Sequence, residues 1–202
     1  MNKYMKIITW DNNQFLGSDS TFETKDSSMG FFLEIDNVLN IFDNPIPVIE
    51  LCCGIGAIGI SAYLRYPEIN YFIGLDIDPI SVRVCKYNIG YHNIEGYAKI
   101  WSAGLNVPYS QSGIVICNPP FIPHIDSDKN NKNIYSSNNG LSTAIKCFES
   151  LINTKHIVIL KSLNWQVEII ENEMHKEFKL VRSSMCRLEA NYIIAFSTWI
   201  NR

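Results

Sequence analysis

Glu50-Leu51-Cys52-Cys53-Gly54-Ile55-Gly56-Ala57-Ile58-Gly59 is the stretch whose reading decides the fold. It closes a short apolar run, Pro47 to Cys52, of the kind that makes a strand buried on both faces. Behind it, Ile58 to Leu64 reads as a helix. Glycines at such a junction let a ligand approach the backbone, and the helix start leaves N–H groups without intrahelical partners. The pattern G-x-G-x-x-G does not by itself choose the ligand, since a nicotinamide or flavin dinucleotide would rest its pyrophosphate on the same helix start. Glu50 tilts the choice: a carboxylate at that strand end repels a pyrophosphate and suits an ammonium group.

Outward from this stretch, strands and helices alternate. Tyr71 to Leu75 is a second strand and Pro79 to Ile89 a helix, with Asp78 as its N-cap and Pro79 in its first turn. Tyr97 to Trp101 and Gly113 to Cys117 are further strands, Ser142 to Ile152 a helix, and His156 to Leu160 a strand. Trp165 to Lys176 follows as a helix capped by Asn164, then Phe178 to Ser183 and Tyr192 to Trp199 as an antiparallel pair at one edge. The expectation is an α/β fold: a doubly wound, seven-stranded, mostly parallel sheet with an antiparallel edge strand, binding at the carboxyl ends of its strands. Before it, Lys6 to Trp10 and Gln14 to Leu16 flank a turn at Asp11-Asn12-Asn13, and Met29 to Ile41 has helical periodicity. Residues 1–45 are read as an N-terminal segment and candidate substrate-side cover of a single domain spanning 1–202.

Composition narrows the class. With 47% hydrophobic and 18% charged residues in 202, the chain can build a core and is not a disordered segment. Its apolar runs fall far short of the ~20 residues that a membrane span needs. Met1 to Trp10 has no signal-peptide core, so a cytoplasmic protein without membrane contact is expected. The net charge of -3 argues against a broad phosphate-reading surface. Cys52, Cys53, Cys85, Cys117, Cys147 and Cys186 form no C-x-x-C pair, and His92, His156 and His175 lack ligand spacing. Free thiols and no metal site are therefore expected.

Two more features carry chemistry. Asp76, in Gly74-Leu75-Asp76-Ile77-Asp78-Pro79, ends the second strand about 20 residues past the glycines, where a carboxylate can accept hydrogen bonds from both ribose hydroxyls. Asn118-Pro119-Pro120-Phe121 follows an apolar strand directly. Two prolines hold the chain extended and remove two N–H donors, which leaves local carbonyls free to accept. The Asn118 oxygen and the Pro119 carbonyl can each take one N–H, and Phe121 offers a flat face. That geometry suits the –NH2 of an amide, aniline or nucleobase. His124, just beyond, is read as a solvent-facing loop residue. The polar segment Asp126 to Asn139, with Lys129 and Lys132 and few apolar residues, is read as a mobile cover of the acceptor site.

Together these motifs resemble a known family. The chain is similar to class I S-adenosylmethionine-dependent methyltransferases and, within them, to the NPP[FY] branch of HemK-type protein glutamine N5-methyltransferases and their N6-adenine and guanine-N2 relatives. The carriers are Phe22-Glu23-Thr24-Lys25-Asp26-Ser27, ELCCGIGAIGI, GLDIDPISVRVCKYNI with Asn88, NPPFIP, and a weaker echo at Asn139-Gly140-Leu141. The resemblance implies a Rossmann-like methyltransferase fold with S-adenosyl-L-methionine as cofactor. It implies that Glu50 and the backbone at Cys52, Gly54 and Gly56 hold the methionine end. Asp76 would bind the ribose, Ile77 and Ser102 would lie at the adenine, and Asn118, Pro119, Pro120 and Phe121 would form the acceptor pocket, with Asn118 also bordering the cofactor. The chain departs from the family at Cys52, where glycine is common, and at Ser102, where many members place an acidic residue near the adenine. About 45 residues precede the glycine motif, so the helical substrate domain of bacterial HemK-type enzymes, and with it release-factor recognition, is not expected.

The functional expectation is an N-methyltransferase acting on a planar nitrogen, with a protein, peptide or small-molecule acceptor favoured over nucleic acid by the low basicity. A partner subunit is compatible with it. The alternatives are an N6-adenine or guanine-N2 nucleic-acid methyltransferase and a non-catalytic methyltransferase-fold binding subunit. The intact Glu50, Asp76 and Asn118 speak against the second. Glu50 and the NPPF stretch speak against a nicotinamide-dependent enzyme.

Overall fold

Apolar runs bounded by polar turns become the seven sheet strands in the expected order, and one short pair was not expected: Ile122–Pro123 with Tyr135–Ser136, the latter inside the polar segment read as a cover. The computed structural model describes residues 5–18, 26–108, 112–123, 135–136, 140–187 and 193–202. Two compact units make up the chain, Met1–Ser102 and Ala103–Arg202.

The first unit opens with a hairpin of β1 (Met5–Trp10) and β2 (Asn13–Ser18), paired from Met5↔Ser18 to Trp10↔Asn13. Its two-residue turn places Asp11 at φ 48 and Asn12 at φ 60, a left-handed pair that Asp and Asn tolerate better than bulkier residues. Asn13, expected in the turn, is already the first residue of β2. The helical periodicity of Met29 to Ile41 becomes α1 (Gly30–Val38), flanked by single 3-10 turns, with Phe31, Phe32, Ile35 and Val38 as its buried stripe. β3 (Ile46–Leu51) is buried at every residue, as a central parallel strand must be. α2 (Ala57–Arg65), β4 (Ile69–Asp76), α3 (Pro79–Tyr91) and β5 (Gly96–Ile100) complete the unit. β4 pairs in parallel with both β3 and β5.

The second unit holds β6 (Ile114–Cys117), the two-residue strands β7 (Ile122–Pro123) and β8 (Tyr135–Ser136), and α4 (Ser142–Glu149). β9 (Ile157–Leu163), α5 (Asn164–Met174), β10 (Phe178–Arg187) and β11 (Ile193–Asn201) follow. Its core packs Phe148 edge-on against Phe178 and Trp199, with ring centroids 4.9 and 5.3 Å apart.

Seven strands share one sheet in the order β10-β11-β9-β6-β3-β4-β5. β6 and β9 run parallel, and β11 runs against both β9 and β10. This is the seven-stranded, mostly parallel α/β sheet with the antiparallel arrangement at one edge. One local expectation is corrected. Asn164 does not cap α5 but is its first helical residue, with Leu163 at the cap position. Gln166 fulfils the capping role, its Oε1 accepting the Leu163 N–H at 2.8 Å.

Candidate cofactor and acceptor sites

Beyond Leu51 the chain leaves β3 through three left-handed residues, Cys52 (φ 57), Gly54 (φ 53) and Gly56 (φ 79). The Cys53 N–H donates to the Leu75 carbonyl at 3.1 Å and the Gly56 N–H to the Cys53 carbonyl at 2.8 Å, so the loop is pinned by its own backbone. The two leading glycines answer different needs. A Cβ on Gly56 would lie 2.6 Å from the Cys85 Sγ, whereas one on Gly54 would meet nothing within 4 Å. Gly54 therefore borders open space where a ligand can approach the backbone.

Glu50 is the penultimate residue of β3, with its side chain 2% exposed. Its Oε2 accepts the Gly59 N–H at 2.9 Å, in the first turn of α2, so the carboxyl satisfies a helix-start donor. The sequence reading gave Glu50 only to a ligand and missed this second duty. Burial pushes its pKa up to about 8, the Gly59 bond pulls it back, and the Asp76 charge raises it further. Asp76 joins the two motifs. Its Oδ2 accepts the Gly54 N–H at 2.8 Å and its Oδ1 accepts the Asp78 N–H at 2.9 Å. Burial raises its pKa against these hydrogen bonds. Each carboxylate oxygen keeps a further lone pair, enough for two ribose hydroxyls. Asp78 caps α3 as expected, accepting from the Ile80 and Ser81 N–H groups at 3.2 and 3.0 Å.

Ile77, directly after β4, is 69% exposed. Ser102 is half-buried, next to Trp101, whose N–H donates to the Asp76 carbonyl at 2.8 Å. Glu50, Asp76, Ile77, Ser102 and the glycine loop thus all lie at or just beyond the carboxyl ends of β3, β4 and β5. Asn88 was quoted in the motif without a role. Fully buried on α3, it donates through Nδ2 to the Ile55 carbonyl at 2.9 Å and the Leu16 carbonyl at 3.0 Å, and its Oδ1 accepts the Leu16 N–H at 2.7 Å. It ties the N-terminal hairpin to the glycine loop. A polar residue on the apolar stripe of α3 was the available signal.

In the second unit Asn118, Pro119, Pro120 and Phe121 leave β6 together, Pro119 buried and the other three half-buried. Among the described residues the Asn118 amide makes no hydrogen bond. The Phe121 carbonyl accepts the Gln166 Nε2 at 2.8 Å. Lys161, buried on β9, places its Nζ 5.7 Å from the Phe121 ring centroid and 6.0 Å from that of Phe196. Burial lowers the pKa of this ammonium to about 8, opposed by the Cys186 charge. Neither Gln166 nor Lys161 carries a sequence signal of its own. His124, Phe22 to Lys25 and the segment 126–139, apart from Tyr135 and Ser136 of β8, lie outside the described residues.

Residues 36–142, more than half of the chain, match the family model described as methyltransferase small domain. The chain belongs to the methyltransferase small domain family. The cofactor of this methyltransferase family is S-adenosylmethionine. A curated relative, ribosomal RNA large subunit methyltransferase G of Magnetococcus marinus, is 30% identical over 87 residues. That alignment takes in 42% of this chain and only 23% of the relative. Among solved structures, the Pyrococcus abyssi tRNA (uracil-54, C5)-methyltransferase in complex with S-adenosyl-L-homocysteine superposes with a TM-score of 0.60 at 13% identity. It covers 99% of this chain and 45% of that one. The M. jannaschii tRNA m1G37 methyltransferase gives 0.62 at 14% identity, over 100% and 56% of the two chains. These structural likenesses establish the fold. By their names all three proteins act on RNA, whereas composition had favoured a protein, peptide or small-molecule acceptor.

The residues of this methyltransferase domain fit the cofactor. The open side of Gly54 leaves room for the methionine end, the Asp76 oxygens keep lone pairs for ribose hydroxyls, and the exposed Ile77 offers an apolar surface for an adenine. Among the described residues, none of the helices is long and apolar enough to cross a membrane.

Proposed function

We propose that the chain is an S-adenosylmethionine-dependent N-methyltransferase whose acceptor is a planar nitrogen of an RNA base. The observation that carries this is the Asn118 amide: it stands at the end of β6, half-buried, uncommitted among the described residues, and beside two prolines that remove competing donors. Two supports bear on the acceptor class. The curated relative is a ribosomal RNA methyltransferase. The charge is also unevenly spread: residues 103–202 hold 10 Lys and Arg against 8 Asp and Glu, while residues 1–102 hold 7 against 12. The half with the proline loop is thus the one suited to phosphates, which the net charge of the whole chain conceals.

S-adenosylmethionine, when bound, supplies an electrophilic methyl group on a sulfonium. Glu50, Asp76 and the glycine loop would hold that cofactor. Asn118 Oδ1 would accept one N–H of the acceptor amino group and the Pro119 carbonyl the other. Two acceptors in the amino plane raise electron density on nitrogen and fix the direction of its lone pair. Phe121 would stack on the base. Asn118 and Pro119 remove no proton before transfer, and none needs removing, because the methylated nitrogen becomes acidic and releases its proton to water. Alignment and exclusion of water carry the acceleration.

The test incubates the purified chain and its Asn118→Ala variant with methyl-labelled S-adenosylmethionine and, separately, ribosomal RNA, tRNA and a protein extract. The RNA is then digested and its nucleosides identified by mass spectrometry. The expected result is label on a base nitrogen with the parent chain and loss of that label with the variant. Label on carbon or on a ribose oxygen would refute the N-methyl assignment. Label confined to protein would refute the RNA assignment and return the acceptor to a side-chain amide.

A further inference from the structure

The Asn118–Phe121 loop has few donors of its own. Pro119 and Pro120 contribute no N–H groups, so among the described residues it shows none of the backbone ties that fix the glycine loop, and the strand pairing of Ile122 with Tyr135 begins only after it. Its anchor comes instead from a residue 45 positions away: the Gln166 Nε2 donates to the Phe121 carbonyl at 2.8 Å. Gln166 is fully buried, and its Oε1 accepts the Leu163 N–H at 2.8 Å. One amide therefore links the start of α5 to the proline loop. A second piece closes on the same carbonyl. Gly140 sits at φ 81, and a Cβ there would collide with the Phe121 oxygen and lie 2.6 Å from the Gln166 Nε2. Only glycine takes that backbone conformation freely and also leaves room for the bond. The ring of the same residue lies over Lys161, its centroid 5.7 Å from Nζ.

We infer that Gln166 and Gly140 clamp the Phe121 carbonyl and thereby set the acceptor loop, which makes Gln166 a positioning residue for methyl transfer. The inference rests on the reading of Asn118–Phe121 as the acceptor loop. Its physical content is preorganisation. The direction of the Asn118 amide and the tilt of the Phe121 ring follow from where the Phe121 carbonyl is held, and an acceptor misplaced by a fraction of an ångström loses alignment. A role confined to helix capping would need only the Oε1 bond to Leu163. The two roles therefore separate in Gln166→Glu, which keeps an oxygen for the Leu163 N–H and replaces the amide donor facing Phe121.

The experiment uses the full chain with 4-fluorophenylalanine placed at position 121 and reads its fluorine resonance, alongside methylation kinetics on the RNA fraction and calorimetric binding of S-adenosylhomocysteine. Gln166→Glu should broaden or split the resonance and lower kcat about tenfold or more, with the ligand Kd within about twofold of the parent. Gly140→Ala should act in the same direction, while Glu168→Gln, on the exposed face of α5, should change neither signal nor rate. An unchanged resonance and rate in Gln166→Glu would overturn the clamp, as would an equal change in Glu168→Gln. Should the parent chain methylate no RNA base, the function proposed above fails, and the fluorine signal alone decides the clamp: a change specific to Gln166→Glu and Gly140→Ala sustains it, and constancy refutes it.

Discussion

The loop after β3 and the loop after β6 both leave a buried strand at its carboxyl end, but with opposite backbones. The first turns through three left-handed residues, Cys52, Gly54 and Gly56, and is tied by N–H groups of its own or of near neighbours. The second runs through two prolines, lacks those donors, and borrows its tie from Gln166. The glycine loop donates its own N–H groups: Asp76, 22 residues on, accepts from Gly54, and Glu50 accepts from Gly59 at the start of α2. The proline loop instead receives its tie from the Gln166 side chain, 45 positions away. A site that must present N–H groups to a ligand can be written in one contiguous motif. A site that must present carbonyls has to be steadied from elsewhere, because the residues that free its carbonyls are the ones that cannot donate.

If the two loops divide the work as proposed, each should fail in its own way. The largest effect is expected at Asn118. Asn118→Ala should lower turnover by roughly two to four orders of magnitude, since an orienting group acts mainly in the transition state, while cofactor affinity and melting temperature stay close to the parent values. Matched loss of cofactor affinity would erase the division. Asp76→Ala should do the reverse. It should weaken S-adenosylhomocysteine binding at least about tenfold by calorimetry, and it should also destabilise the fold by about 1–3 kcal/mol, because the Gly54 and Asp78 N–H groups lose their acceptor.

Gly56→Ala is next. A Cβ at φ 79, 2.6 Å from the Cys85 Sγ, should cost about 2–3 kcal/mol in chemical denaturation, whereas Gly54→Ala should cost only the backbone conformation, about 1–2 kcal/mol. Equal losses would mean that the open space beside Gly54 is not real.

Glu50 should sharpen the comparison through pH. Its folded pKa of about 8 lies above the 4.5 of a free glutamate, so its contribution favours the fold at low pH and is lost as pH rises through that window. An ammonium brought beside it by the cofactor should lower that pKa. Binding at pH 7 should then release up to about one proton, affinity should rise with pH toward 8, and both effects should vanish in Glu50→Gln. Calorimetry in buffers of different ionisation enthalpy measures this directly, and proton uptake on binding would contradict it. The smallest effect is expected at Cys52, a non-glycine residue at φ 57: Cys52→Gly should stabilise by about 0.5–1 kcal/mol or be neutral, as relief of backbone strain competes with the flexibility of glycine in the unfolded chain.

Sequence by itself determined the order of the seven sheet strands and the helices between them, the N-cap at Asp78, the glycine loop and the proline loop, because each is a local matter of apolar periodicity, side-chain hydrogen bonds to nearby N–H groups, or fixed φ angles. The dual duty of Glu50, the bridge from Asn88 to the hairpin and to Ile55, and the hold of Gln166 on Phe121 were decided by tertiary structure alone. A buried amide or carboxyl looks the same in sequence whatever it bonds. Its partner is a backbone group that any residue could supply, so only the packing that brings the two within 3 Å names it.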